Sequence, residues 1–260
     1  MSKEMGCVII TGAGSGIGKA IALNLATHGF HIVCISKSAK ATVTAQSIRS
    51  EGGSAEDLIV NLTDYNHAGN KIRTWISEKN YRFVGIVLAA GVLGPVGPLE
   101  NTTMDQWNDC LQTNVIGNLA VLKEVLPRLI NGQFGRIVWL GGGGAAYAYP
   151  IFPAYAASKV AIVRIIENLH EDLKSKGNFS VVCLAPGAND TEMLKKVREA
   201  GGEVKTVVEI GEPVNFVSNF ILSRSCNFSG CLVHVRDLWA EYLNNDKKIE
   251  NNQWKLRRIE

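Results

Sequence analysis

Tyr155 and Lys159 stand four residues apart in the run Tyr155-Ala156-Ala157-Ser158-Lys159. Residues at that spacing share one face of a helix, so a phenol and an ammonium would project to the same side. A cation beside a phenol favours the phenolate and draws its pKa down from about 10 toward neutral pH. Such a pair suits proton exchange with a carbonyl or alcohol oxygen. The spacing also recurs by chance, so it gains meaning only beside a second motif near the N-terminus.

That motif is Thr11-Gly12-Ala13-Gly14-Ser15-Gly16-Ile17-Gly18, directly after an apolar run and opening into AIALNLATHG. Small residues let the backbone approach a pyrophosphate, while the helix N-terminus presents free N–H groups and a positive dipole to it. A Gly-rich stretch alone reads as a plain tight turn; a strand before it and a helix after it make it a dinucleotide site. The end of the second strand then selects the dinucleotide. NAD sites usually place an acid there for the ribose 2′-OH, whereas a 2′-phosphate calls for a cation. The run Cys34 to Lys40 has no acid, and Ser36 with Lys37 offers a hydroxyl and an ammonium, so NADP is favoured over NAD. The plainer reading makes Lys37 and Lys40 a solvated helix start.

Elements must hold these groups in place, and the hydrophobic pattern supplies them. Seven short apolar runs read as strands: 7–11, 31–35, 56–60, 83–90, 135–140, 180–185 and 231–235. Helix-like stretches lie between them near 17–28, 40–50, 65–79, 103–130, 155–176 and 213–223. Strict alternation of apolar strands and helices predicts an α/β protein, a parallel sheet covered on both faces. Asn189 to Gly211 reads as a mobile covering loop with a short helix. A single domain over 1–243 is expected, with a tail over 244–260 whose Trp254 and Leu256 dock on the body or on a partner subunit.

Composition narrows the class. Of 260 residues, 46% are hydrophobic and 20% charged, as in an ordinary globular chain. Glycine is high, with 26 residues, while 7 prolines exclude a collagen-like pattern. Of the net charge of +3, the last sixteen residues hold +2, so the nearly neutral body lacks the basic footprint of a nucleic-acid binder. Six cysteines show no metal-site spacing, and Cys7, Cys34 and Cys183 fall in strand runs where free Cys acts as a small hydrophobe. No metal site is expected, and a reducing, cytoplasmic setting fits best. No signal peptide is read in MSKEMGCVIITGAG. The charge-free stretch from Ile137 to Ser158 contains four consecutive glycines and two prolines, which argues against a membrane span.

Taken in order, these motifs resemble the short-chain dehydrogenase/reductase family, in its single-domain form of about 250 residues, over roughly 5 to 239 of this sequence. Thr11 to Gly18 matches the family's cofactor turn. Leu88-Ala89-Ala90-Gly91 stands where NNAG is usual, and Asn114 in QTNVIG matches the active-site Asn. Tyr155 and Lys159 match the catalytic pair, while Pro186-Gly187 with Thr191 matches the PGxxxT segment at the nicotinamide end. The resemblance implies a Rossmann-type three-layer, doubly wound sandwich with a seven-stranded parallel sheet. It also implies hydride transfer between a nicotinamide cofactor and a carbonyl or secondary alcohol. In it Tyr155 exchanges the proton, Lys159 holds the nicotinamide ribose and lowers the Tyr pKa, and Asn114 positions a relay water. Asn61 and Leu62 stand at the adenine, and Gly91 lets the fourth strand's end approach the cofactor.

One position departs from the family pattern. The Ser that usually lies 13 residues before the Tyr, where it hydrogen-bonds the substrate oxygen, is Gly142 here, inside Gly141 to Gly144. Losing one oriented oxyanion donor costs roughly 3–4 kcal/mol in a comparable acyl-transfer site. Three readings follow: a water or Tyr147 fills the gap, a polyhydroxylated substrate brings its own hydroxyl, or the fold keeps its cofactor and has lost efficient turnover. The last is the alternative function, a cofactor-binding homologue with a regulatory or interaction role. Ser158, beside Lys159, is no obvious replacement. The expected pocket includes Tyr147, Tyr149, Phe152, Asn189 and Met193, which suits a sugar, nucleotide-sugar or small apolar ketone as small-molecule substrate. The family also implies a homodimer or homotetramer through the two long helices, with Leu119, Leu122, Val125, Ala161, Ile165 and Leu169 as an exposed apolar set. The plainer reading makes those residues the sheet-facing stripe.

Overall fold

The computed structural model describes residues 5–204 and 207–257. Met1 to Glu4, Lys205 and Thr206 of the covering segment, and Arg258 to Glu260 of the tail lie outside the described residues.

Seven strands form one parallel sheet in the order β3-β2-β1-β4-β5-β6-β7. They are β1 (Cys7–Thr11), β2 (His31–Ser36), β3 (Ser54–Ile59), β4 (Phe83–Leu88), β5 (Phe134–Leu140), β6 (Asn178–Ala185) and β7 (Cys231–His234). The helices are α1 (Gly16–Thr27), α2 (Lys40–Ser50), α3 (Tyr65–Ser77), α4 (Met104–Leu111), α5 (Asn118–Asn131), α6 (Pro153–Leu173), α7 (Glu192–Glu199) and α8 (Gly211–Leu222). Successive side chains on a strand point to opposite faces, and here both faces are apolar. Val8, Ile10, Cys34, Val138 and Val182 pack toward α1, α2 and α8. Ile9, Val33, Ile137, Trp139 and Cys183 pack toward α3, α5 and α6. This is the three-layer sandwich the alternation predicts.

Several boundaries differ from the pattern in the sequence. The third strand spans 54–59, not 56–60, because pairing with β2 begins at His31 and Ser54, whose Nδ1 and Oγ lie 2.7 Å apart. The fourth strand stops at Leu88 instead of Ala90: the Ala89 and Ala90 N–H groups leave the ladder and donate to Thr11 Oγ1 at 3.0 and 3.2 Å. The sixth helix starts at Pro153, where proline's missing N–H costs nothing. The long helix expected near 103–130 is α4 and α5 joined by a π-turn, Gln112–Gly117. In that wider turn Gly117 lies against Leu62, where a Cβ would sit 2.2 Å from the Leu62 carbonyl oxygen.

At the N-terminal end of the sheet, two charged side chains are enclosed by hydrogen bonds. Arg136 is fully buried. It donates to the carbonyls of Ser223 (2.9 Å), Arg224 (3.0 Å) and Asn178 (2.9 Å), and to Asn178 Oδ1 (3.0 Å). Burial lowers its pKa to about 10. Burial alone would raise the pKa of Glu56, but donors from Lys79, Tyr81 and Trp75 outweigh it and hold the carboxyl at about 2.

The tail packs on the body. Trp254 rests against Phe228 and Tyr242, its carbonyl accepts from Leu232 N at 2.8 Å, and Leu256 packs on the core. All six cysteines are free thiols. Among the described residues no helix is long and apolar enough to cross a membrane, and no cluster of metal-ligating side chains occurs.

Candidate active site

The sheet order reverses between β1 and β4, and in open α/β sheets the crevice at that switch, beyond the strands' C-terminal ends, receives ligands. Gly12 (φ 69°) lies there, and a Cβ on it would stand 2.8 Å from Ala90 N. A Cβ at Gly18 would stand 2.5 Å from Gly12 O, so the turn folds onto the helix with no room for side chains. Gly14 packs on Lys40, and Gly16 (φ 53°) faces Thr191 Cγ2 at 3.3 Å. Exposed Ser15 precedes α1 without capping it, and Ile17 packs inward. The first-turn N–H groups of α1 therefore have no side-chain cap, as an anion site requires.

Beside this turn, the end of β2 carries the NADP-selecting candidates. Ser36 Oγ donates to Ser38 O and accepts from Ala41 N, so its hydroxyl is engaged in starting α2. Lys37 and Lys40 are exposed at the same corner. Asn61 is exposed beyond β3, its Oδ1 accepting from Thr63 N, and Leu62 is buried beside it. Ser36 and Lys40 border the glycine turn directly, 3.1 and 2.7 Å from the Cβ position of Gly14.

On the other half of the sheet, α6 and the π-turn bring Tyr155, Lys159, Asn114 and Gly91 together. Lys159 is buried, its Nζ 2.8 Å from Leu140 O and 5.1 Å from the Tyr155 ring centroid. A Cβ at Gly91 would lie 3.3 Å from Asn114 Oδ1 and 3.8 Å from Lys159 Nζ. Asn114 is fully buried, and its side chain is engaged by the protein. Oδ1 accepts from Val92 N at 2.7 Å, and Nδ2 donates to Val92 O and Ser158 Oγ, both at 2.9 Å. Any relay water at Asn114 must therefore use its main chain.

The expected effect of Lys159 on the phenol is not what this arrangement produces. Burial pushes the Tyr155 pKa above its ordinary value, with Tyr149, Cys110 and Cys183 adding to it. Burial also lowers Lys159 to about 8, so the ammonium is itself destabilised. A low-dielectric setting disfavours both charges.

Gly142 has an extended backbone, and a Cβ there would stand 2.9 Å from the Tyr155 hydroxyl oxygen. The phenol thus leans into the space a side chain at 142 would take. That hydroxyl has no hydrogen-bond partner among the described residues. Tyr147 does not fill the gap, being 76% exposed. Ser158 is also unavailable, since it donates to Tyr155 O and accepts from Asn114.

A third apolar cluster walls this pocket: Leu93, Phe152 and Val197, with Tyr149, Met193 and Tyr155 against them. After β6, Pro186, Gly187 and Asn189 lead to Thr191, which caps α7 through Leu194 N. Gly187 (φ 70°) lies against Val208.

Sequence reasoning missed Asn118, which joins the two halves. Its Oδ1 accepts from Thr11 Oγ1 at 2.7 Å, and its Nδ2 donates to Ala90 O at 3.0 Å and Thr113 O at 2.9 Å. The available signal was a second Asn four residues after Asn114. Gly117 and the Leu140 carbonyl were likewise missed, the latter because a main-chain acceptor leaves no trace in residue type.

The short chain dehydrogenase family matches residues 6–202. A 3-oxoacyl-[acyl-carrier-protein] reductase from Aggregatibacter actinomycetemcomitans is 33% identical over 190 residues, covering 72% of this chain and 77% of that protein. A 2,3-dihydro-2,3-dihydroxybenzoate dehydrogenase from Bacillus subtilis is 29% identical over 185 residues, covering 71% and 70%. Among solved structures, a 3-oxoacyl (acyl-carrier-protein) reductase from Agrobacterium tumefaciens with NADP bound has a TM-score of 0.78. It shares 23% identity and covers 89% of this chain and 93% of its own, a likeness of fold.

Proposed function

Since this chain belongs to the short-chain dehydrogenase family, we propose that it is an NAD(P)-dependent oxidoreductase acting on a carbonyl or secondary alcohol. The observation that carries this is the Tyr155 hydroxyl, without a hydrogen-bond partner among the described residues, beside Lys159 and against Gly142. Both curated relatives named above are oxidoreductases, which weighs against the non-catalytic alternative.

The cofactor is NADP(H), with NAD(H) second. Gly12 to Gly18 would approach its pyrophosphate, and Lys37 and Lys40 would meet the 2′-phosphate. Asn61 and Leu62 would border the adenine, while Pro186, Gly187 and Thr191 border the nicotinamide. When bound, the cofactor donates or accepts the hydride. Tyr155 gives the proton to the substrate oxygen in reduction and takes it in oxidation, and its raised pKa keeps it a proton donor at neutral pH. Lys159, held by Leu140 O, would meet the nicotinamide ribose. Asn114 and Asn118 hold the loops that frame the pocket.

Leu93, Tyr149, Phe152, Met193 and Val197 present an apolar wall without charge, so the carbonyl lies in an uncharged part of the substrate. A sugar or nucleotide-sugar would have to stack on the aromatic part of that wall.

A homodimer or homotetramer is supported by an apolar groove between α5 and α6, bordered by Leu119, Leu126, Ile130, Ile165 and Leu169. Leu122 and Val125, expected in the exposed set, are instead core, being 2% and 0% exposed. Free, largely buried thiols fit a reducing, cytoplasmic setting.

The test is a titration with NADPH and NADH, followed by turnover on a panel of ketones, secondary alcohols and sugars. NADPH should bind at least about tenfold tighter than NADH, a difference of about 1.4 kcal/mol. Binding of neither cofactor overturns the reading.

A further inference from the structure

With glycine at 142, the substrate oxygen is left with one side-chain donor, Tyr155, unless another group reaches it. Further along the same loop stands Tyr149, and its main chain is anchored to the helix that carries Tyr155. Phe152 N donates to Tyr149 O at 3.0 Å, and Phe152 O accepts from Ala156 N at 3.0 Å, in the first turn of α6. The Tyr149 ring packs on that of Phe152, with centroids 5.1 Å apart and planes at 56°. Both Tyr149 and Tyr155 pack on the cluster of Leu93, Phe152 and Val197, so the two phenols stand on one wall of the pocket.

Tyr149 is half-buried, and its hydroxyl has no hydrogen-bond partner among the described residues. A ring placed only for packing needs no oxygen, and a tyrosine hydroxyl drawn out of water usually finds a partner. Burial raises the Tyr149 pKa, which keeps the group a neutral donor at neutral pH. After burial, Tyr149 is the group that most raises the pKa of Tyr155, so the two oxygens lie within electrostatic reach of each other. Glycine at 142 suits this pairing, because a Cβ there would stand 2.9 Å from the Tyr155 hydroxyl oxygen and narrow the space beside it.

We propose that Tyr149 is a catalytic residue whose hydroxyl donates a hydrogen bond to the substrate's carbonyl oxygen, the role that no side chain at 142 can fill. This rests on the oxidoreductase reading given under Proposed function. In reduction the carbonyl carbon gains hydride from the reduced nicotinamide, and the carbonyl oxygen gains the proton of Tyr155. Tyr149 keeps its own proton throughout and stabilises the negative charge that builds on that oxygen. In oxidation the same hydrogen bond stabilises the alkoxide as Tyr155 takes the proton.

Tyr149→Phe tests this, since it keeps the ring and removes an oxygen that holds nothing else in the chain. Turnover with NADPH is measured on ethyl acetoacetate, cyclohexanone and D-fructose, and the variant is compared on the ketone that wild type reduces fastest. The variant's kcat should fall about 10²-fold while KM changes less than about threefold. Melting temperature and NADPH affinity should match wild type, and Tyr149→Met replaces the variant if the phenylalanine form does not fold. A fall in kcat of less than about tenfold overturns the proposal, as does a rise in KM alone, which would make the hydroxyl a ground-state contact. Absence of wild-type turnover on all three ketones removes the oxidoreductase reading and this inference with it. Wild-type turnover that Tyr149→Phe retains removes this inference alone.

Discussion

At the N-terminal ends of the strands Glu56 and Arg136 are each met by three or more hydrogen-bond partners, whereas at the C-terminal ends some polar groups are left incomplete. There, Lys159 has one carbonyl, the Tyr155 hydroxyl no partner among the described residues, and Asn189 an orphaned oxygen. The lower rim holds its charges with long side chains from neighbouring elements. The upper rim has glycines where such side chains would sit, at 12, 16, 91 and 142. One end of the sheet closes these two charges within the chain, while the other satisfies Thr11, Asn114 and Asn118 and leaves Lys159 and the Tyr155 hydroxyl short of partners among the described residues. Stability and chemistry are thus assigned to opposite ends of the same strands.

Substitutions that cross the two ends test this division. Removing one hydroxyl from the upper rim, Tyr155→Phe, should lower turnover by about 10³-fold while NADPH affinity and melting temperature stay nearly constant. Retained turnover would break the assignment. At the lower rim, Arg136→Met strands the carbonyls of Ser223, Arg224 and Asn178 and should cost about 3 kcal/mol of stability in denaturant melts. Turnover per folded molecule should not change, and a drop in it would mean that the two rims are coupled. The smallest effect is expected for Gly142→Ser. Its Cβ would force the Tyr155 hydroxyl to shift, so the added donor and the displaced phenol should offset to less than about tenfold in kcat. A gain of about 10² or more would instead identify Gly142 as a lost donor.

Much of the upper rim is legible in the residue types. The glycine turn, Tyr155, Lys159 and the Pro186-Gly187-Thr191 segment declare themselves because their chemistry is local: a turn, a helix face, a strand end. Asn118 and the Leu140 carbonyl do not, since each acquires its role only when elements distant in sequence converge. The phenol's pKa fails for a related reason. Spacing places a cation near Tyr155, but burial, which spacing does not encode, acts on both groups and wins. At the lower rim the sequence offers no hint that Arg136, with no carboxylate partner among the described residues, would be buried among carbonyls. Leu122 and Val125 show the same limit, because an apolar helix position does not say which of two apolar neighbours it meets.

The π-turn between α4 and α5 also changes how this stretch can be compared with other chains. An ideal helix repeats every 3.6 residues, so counting on from buried Cys110 the inward face would recur near 114, 117, 121, 124 and 128. Asn114, Gly117 and Val121 are buried on that count, but so are Val115, Asn118 and Leu122, and beyond them the face continues at Val125 and Leu129, later by about one residue. The stretch therefore stores part of its meaning in length: the wide turn takes up one extra residue, and a chain with one residue fewer between Gln112 and Gly117 would run through as an ordinary helix with the α5 stripe still facing inward. Matching identities position by position would not see that change; counting the phase of the apolar repeat would.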